Sequence, residues 1–169
     1  DTTSIEARTF ATLQQLWVVG SKPVEPGGGL LVARHFMPGY GTFQVTRPEG
    51  NNLITIATSN PDVSFVPEQR PLSGMHGGFR GAQPSLFFRV DRGRLTPGDT
   101  VTVTYGDTTG GGRGLRMGAP ATDFLPLPIY VDFDGSGDLI SLPIVPFRVH
   151  GKSIRYRGSG GGGVFRIFR

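Results

Sequence analysis

The sequence predicts an all-β protein: a two-sheet antiparallel β-sandwich, immunoglobulin-like, with long loops and little or no helix. Three observations carry that expectation. Apolar residues recur at every second position in several short segments, most regularly in DTVTVTYG, where Val101, Val103 and Tyr105 alternate with Thr100, Thr102 and Thr104. No stretch keeps a 3.6-residue apolar period over three turns. Turn formers are abundant, with 27 Gly and 14 Pro in 169 residues, while 12 Phe and 37% hydrophobic content supply the core that a disordered chain lacks. One domain fits this length. The division expected is a β-sandwich over residues 1–150 and a basic, glycine-rich C-terminal arm over 151–169.

Taken in order, TFATLQQLWVVG reads as one long strand with Ala11, Leu13, Trp17 and Val19 on a common face and Gln15 as its polar interruption. LLVARHF, GTFQVTR and NLITIAT follow as strands, each bounded by Gly, Pro or Asn. Residues 59–85 hold four Pro and four Gly and read as a long excursion with one short strand at 63–66. SLFFRVD places Leu86, Phe88 and Val90 on one face, and the Pro97-Gly98 turn leads from it into DTVTVTYG. PLPIYVDF puts Leu127, Ile129, Val131 and Phe133 together. LISLPIVPFRV closes the body; Pro143 and Pro146 remove backbone donors, so it belongs at a sheet edge or is broken. The total is seven to nine strands, with the Val101, Val103 and Tyr105 face packed against a second sheet containing Leu13 and Trp17.

Composition excludes several chemistries. The absence of cysteine removes disulfides and thiolate metal sites. No apolar run approaches the roughly 18 residues that span a bilayer. The first residue is Asp1, which fits a removed leader as well as a trimmed chain, and an extracytoplasmic or secreted setting is the expectation. Net charge is +4. From Ser141 onward there are six basic residues, Arg148, Lys152, Arg155, Arg157, Arg166 and Arg169, and no acidic one, leaving 11 basic against all 13 acidic residues in the body. A basic tail on a slightly acidic body argues against a nucleic-acid-binding domain.

Each candidate motif has a plainer reading beside it. GGGRG at 110–114 lacks the following Lys-Ser or Lys-Thr and the helix of a phosphate loop, so it reads as a solvent-exposed loop in which Arg113 alone could meet an anion. His35, His76 and His150 have no partner at ligand spacing. His76, in SGMHGG three residues after Ser73, is the catalytic candidate a small hydrolase would need, against a solvated loop histidine. In VDFDGSGDL, Asp132, Asp134, Ser136 and Asp138 alternate as hard oxygen donors for calcium, with Gly135 and Gly137 permitting a sharp turn. Position twelve of such a loop is Pro143 where a bidentate Glu belongs, and a hairpin tip held by Asx bonds is the alternative. In the arm, Arg155, Tyr156 and Arg157, then Phe165, Arg166, Ile167 and Phe168, interleave basic and apolar residues, a pattern suited to contact with another protein or copy as an added strand.

The succession TFATLQQLWVVG, PGGGLLV, RVDRGRLTPGDTVTVTYGDTTGGGRGLRM and VDFDGSGDL resembles the N-terminal β-sandwich region of the DUF3604 family, bacterial proteins of uncharacterised function. The resemblance covers roughly residues 8 to 150. In that family the sandwich precedes a larger domain regarded as a metal-dependent phosphoesterase. Because the expected metal-binding His and Asp cluster has no counterpart here, the resemblance implies the accessory part alone, and no catalytic residue is carried over. The expectation is therefore a non-catalytic binding module that positions a partner. The alternatives are an assembly subunit pairing through edge strands and arm, and a small hydrolase.

Overall fold

The structure, a computed structural model, describes residues 4–33, 41–72, 83–118, 120–143 and 146–151, with backbone alone at 71, 72, 83 and 84. Among them lie 13 strand segments and no helix. The principal sheet has five strands: β4 (Gly29–Val32), β6 (Ser64–Leu72), β7 (Gln83–Arg92), β11 (Ile129–Asp132) and β12 (Ile140–Ser141), in the order β12-β11-β4-β7-β6. All its pairings are antiparallel. Facing it is a three-stranded antiparallel sheet, β3-β8-β5, made of β3 (Leu13–Val18), β5 (Ile54–Thr58) and β8 (Thr100–Tyr105). A small sheet joins β1 (Ser4–Glu6), β13 (Phe147–His150) and β10 (Thr122–Leu125), and β2 (Phe10–Ala11) pairs with β9 (Leu115–Arg116).

The alternation read from the sequence decides what is inside. Val101, Val103 and Tyr105 on β8 are buried with Leu86, Phe88 and Val90 on β7 and Leu30 and Val32 on β4 in one hydrophobic cluster shared by the two sheets. Fully burying a Val-sized side chain contributes roughly 1.5–3 kcal/mol, so this layer is the main source of stability. The sandwich is thus as expected, but its strand partners are not. Leu13 and Trp17 do not lie across the core from β8; β3 pairs directly with β8, Leu13 opposite Tyr105 and Trp17 opposite Val101. Period two says which residues share a face and is silent on which strand lies next door.

Three further expectations are corrected. The long strand from residue 9 divides at Thr12 into β2 and β3, because its partners are two separate strands, β9 and β8, with the glycine-rich loop between them. The segment 41–47 is no strand: Gln44 makes a single bridge to Leu53, and its side-chain Oε1 accepts the Thr46 and Arg47 amides at 3.0 and 2.9 Å, curling the chain into a turn. The excursion from residue 59 contains β6, nine residues long and paired along its length with β7. The small sheet also departs from an all-antiparallel scheme, since β1 runs parallel to β13. LISLPIVPFRV is broken as foreseen, into the edge strand β12 and β13 in a different sheet.

Between β7 and β8 the chain crosses from one sheet to the other through Thr96-Pro97-Gly98-Asp99. The Asp99 amide donates to the Thr96 carbonyl at 3.0 Å, closing a turn in which Gly98 has φ +91°, a region L side chains rarely adopt. Gly98 N then donates to Val19 O while Val19 N donates to Asp99 O, a bulge that fixes the register of β3 on β8.

Candidate functional site

The Val19 bulge sets the direction of every backbone group on β3. Val19 turns both its N–H and C=O toward β8, so Gln15 and Trp17 do the same by period two, and Gln14, Leu16 and Val18 direct theirs away. Among the described residues no strand pairs with that outer edge. Beside the polar Gln14, two side chains on this face are apolar yet in water: Leu16 is 64% and Val18 54% exposed.

A cleft of about 460 Å³ adjoins this edge. β3 supplies one wall, and Leu127, Ile129, Leu142, Pro143 and Phe147 supply apolar surface opposite it. The polar side-chain groups in the lining are the Gln14 and Gln15 amides and the Trp17 indole N–H; no titratable side chain takes part. Gln15 is already committed, its Oε1 accepting a 2.6 Å hydrogen bond from the Tyr105 hydroxyl. Burial pushes the Tyr105 phenol well above its ordinary range. The Tyr105 ring is also met edge-on by Phe43, centroids 5.8 Å apart. The only tryptophan, Trp17, stands half-buried in the cleft.

Both edges of the five-stranded sheet are protected where β3 is not. On β7, Val90 bonds to the β4 side, so β6 bonds β7 through its even-numbered residues and turns Pro67 and Pro71, which have no N–H, to the open edge. At the opposite edge β12 is two residues long and soon followed by Pro143. β3 carries six residues, no proline and no charge on its open side. Apolar residues at alternate positions on both faces of LQQLWV were the sequence signal for this site, overlooked because one face alone was needed for the core.

The acidic run at 132–138 lies apart as a turn after β11. Asp132 is fully buried; its Oδ1 accepts the Asp134 and Gly135 amides at 3.3 and 2.8 Å and its Oδ2 the Gly137 amide at 3.0 Å. Asp134 Oδ1 accepts the Ser136 amide at 3.1 Å, and Ser136 Oγ the Asp138 amide at 3.3 Å. Hydrogen bonds from Ser136 hold the Asp134 carboxyl below its ordinary range, with Lys22 adding attraction. Lys22 also sits 4.6 Å above the Phe133 ring. The turn packs on a tight neighbour, since a Cβ on Gly28 would collide with the Asp132 carbonyl. The four oxygen-bearing residues thus follow one another along a turn, and among the described residues no group of three or more His, Asp or Glu is placed to hold a metal.

The remaining candidates separate. GGGRG leads into β9, not a helix; Arg113 stacks 4.2 Å over the Phe10 ring and donates its amide to Asn51 Oδ1. His150 is exposed on β13 with Nδ1 3.0 Å from Ser4 Oγ. His35, Ser73, His76 and all the arm residues, Arg155, Tyr156, Arg157, Phe165, Arg166, Ile167 and Phe168, lie outside the described residues. No protein-family model, curated protein or solved structure matches the chain.

Proposed function

We propose that the chain is a non-catalytic β-sandwich module that binds an extended polypeptide along the open edge of β3, and so positions a partner domain or chain. What supports this most is the open edge itself: three residues with outward backbone donors and acceptors beside an apolar cleft. A strand laid there gains main-chain hydrogen bonds from the edge and apolar contacts from the cleft, the two ingredients of strand addition. The resemblance to an accessory sandwich preceding a catalytic domain is consistent with a positioning role. An assembly subunit would use the same edge with a second copy as partner. For the acidic run we propose a structural turn in place of a calcium site, because most of the Asp132 lone pairs already accept amides.

Trp17 provides the readout. A blocked peptide of alternating Val and Lys should shift Trp17 emission to the blue, saturably, whereas a polyproline peptide, which has no N–H to offer, should not. Leu16→Pro places on β3 the device that Pro67 represents on β6, removing an outward donor while leaving the β8 ladder intact, and should weaken peptide binding about tenfold. Equal binding by Leu16→Pro, or no emission change with any peptide, would remove this reading.

A further inference from the structure

We infer that residues 164–168 of the same chain are the strand that the open edge of β3 accepts, an inference that rests on the polypeptide-binding reading above. The match is in the pattern. A strand added beside β3 presents alternate side chains to two different surroundings, the cleft on one side and the exposed Leu16 and Val18 on the other. The segment Val164-Phe165-Arg166-Ile167-Phe168 has apolar residues for both. Phe165 and Ile167 suit the cleft, Val164 and Phe168 suit Leu16 and Val18, and Arg166 reaches water between them. The earlier arm segment, Ile154 to Arg157, is apolar on one face only and fits a single apolar surface.

The reach also agrees. His150 accepts the Ala7 amide at 2.8 Å, which fixes the end of β13 six residues from Leu13. Six residues of chain span at most about 22 Å. The 12 residues 152–163 include Gly158, Ser159 and four consecutive glycines after them. Fully extended, 12 residues span at most about 43 Å, so the segment can reach β3. A tether long enough for its span gives an effective concentration of up to about millimolar, which favours the chain's own segment over that of a second copy at ordinary protein concentration. The arm then acts as a built-in competitor for whatever partner the edge receives.

The cysteine-free chain allows a direct test. In full-length protein at low concentration, Leu16→Cys or Val18→Cys combined with Arg166→Cys should form an intramolecular cross-link at least about tenfold faster than Asp91→Cys combined with Arg166→Cys, since Asp91 lies exposed on the other sheet. Cross-linked dimers as the main product would overturn the inference in favour of exchange between copies, and equal rates for the two pairings would overturn it outright. The double variant Phe165→Asp, Ile167→Asp, read in the full chain with the Val-Lys peptide, separates the two levels of argument. Tighter peptide binding than wild type supports the arm as competitor. Unchanged binding removes the arm and leaves the edge reading standing; no binding by either chain removes both.

Discussion

The Tyr105 hydroxyl is enclosed by the core and has Gln15 Oε1 as its acceptor, so the polar interruption in an otherwise apolar strand face is explained by a residue 90 positions away. From the sequence Gln15 was visible as an anomaly; its reason was not, because the partner is set by the pairing of β3 with β8. Gln15→Leu should cost about 1–3 kcal/mol, the penalty for leaving a buried hydroxyl unpaired, whereas Tyr105→Phe should cost about 1 kcal/mol. The double variant should fall short of the sum of the two, measured by urea denaturation, because both single changes break one bond. Asp132 presents the same logic with backbone donors. Asp132→Ala strands three amides and should lower stability by about 1–3 kcal/mol, while Asp132→Asn keeps one acceptor oxygen and should fall between. Millimolar calcium should leave the wild-type melting curve where it is; an upward shift would reinstate Asp132, Asp134, Ser136 and Asp138 as ligands.

Strands were legible where alternation was clean and misread where proline intervened. β8, β5, β11 and the core face of β7 follow directly from their apolar spacing. β6 was obscured because Pro67 and Pro71 were read as loop formers, yet their spacing of four puts both on the same side of a strand, which is how an edge strand tolerates them. Pro67→Val restores an outward N–H on that edge. The expected result is an unchanged monomer fold by circular dichroism with increased self-association by light scattering, whereas a variant as monodisperse as wild type would show that Pro67 does not guard the edge. The cleft was less legible still. Leu142, Pro143 and Phe147 come to it from a segment broken by prolines, Ile129 from the start of β11 in the other sheet and Leu127 from the residues just before it, so no local pattern announces their meeting.

At the scale of the molecule, the two-sheet sandwich follows from counting strand faces, while the neighbour relations among strands follow from turn geometry that sequence spacing does not encode, such as the Gly98 bulge that carries the chain between sheets. The ionisable groups fixed by those turns set how the whole fold responds to pH. Asp99 is held below its ordinary range by the Asn60 amide and the Thr96 amide and hydroxyl, and Asp107 by the Thr55 hydroxyl and the Thr109 amide and hydroxyl. Lowered carboxyl values mean that the unfolded chain binds protons first, so their stabilisation is present above the ordinary carboxylate range and is lost as pH falls through the folded values. Tyr105 acts at the other end. Burial raises its phenol above the unfolded value of 10.0, so its contribution is intact below that pH, and unfolding becomes easier above it by about 1.4 kcal/mol per pH unit. Urea midpoints measured across pH should therefore form a plateau bounded by an acid limb below about pH 4 and an alkaline limb above about pH 10. Tyr105→Phe should flatten the alkaline limb alone and leave the acid limb in place, while Asp99→Asn should make the acid limb shallower without removing it, since Asp107 still titrates there, and leave the alkaline limb in place; a Tyr105→Phe curve parallel to wild type above pH 10 would mean that the buried phenol is not the group that titrates on unfolding.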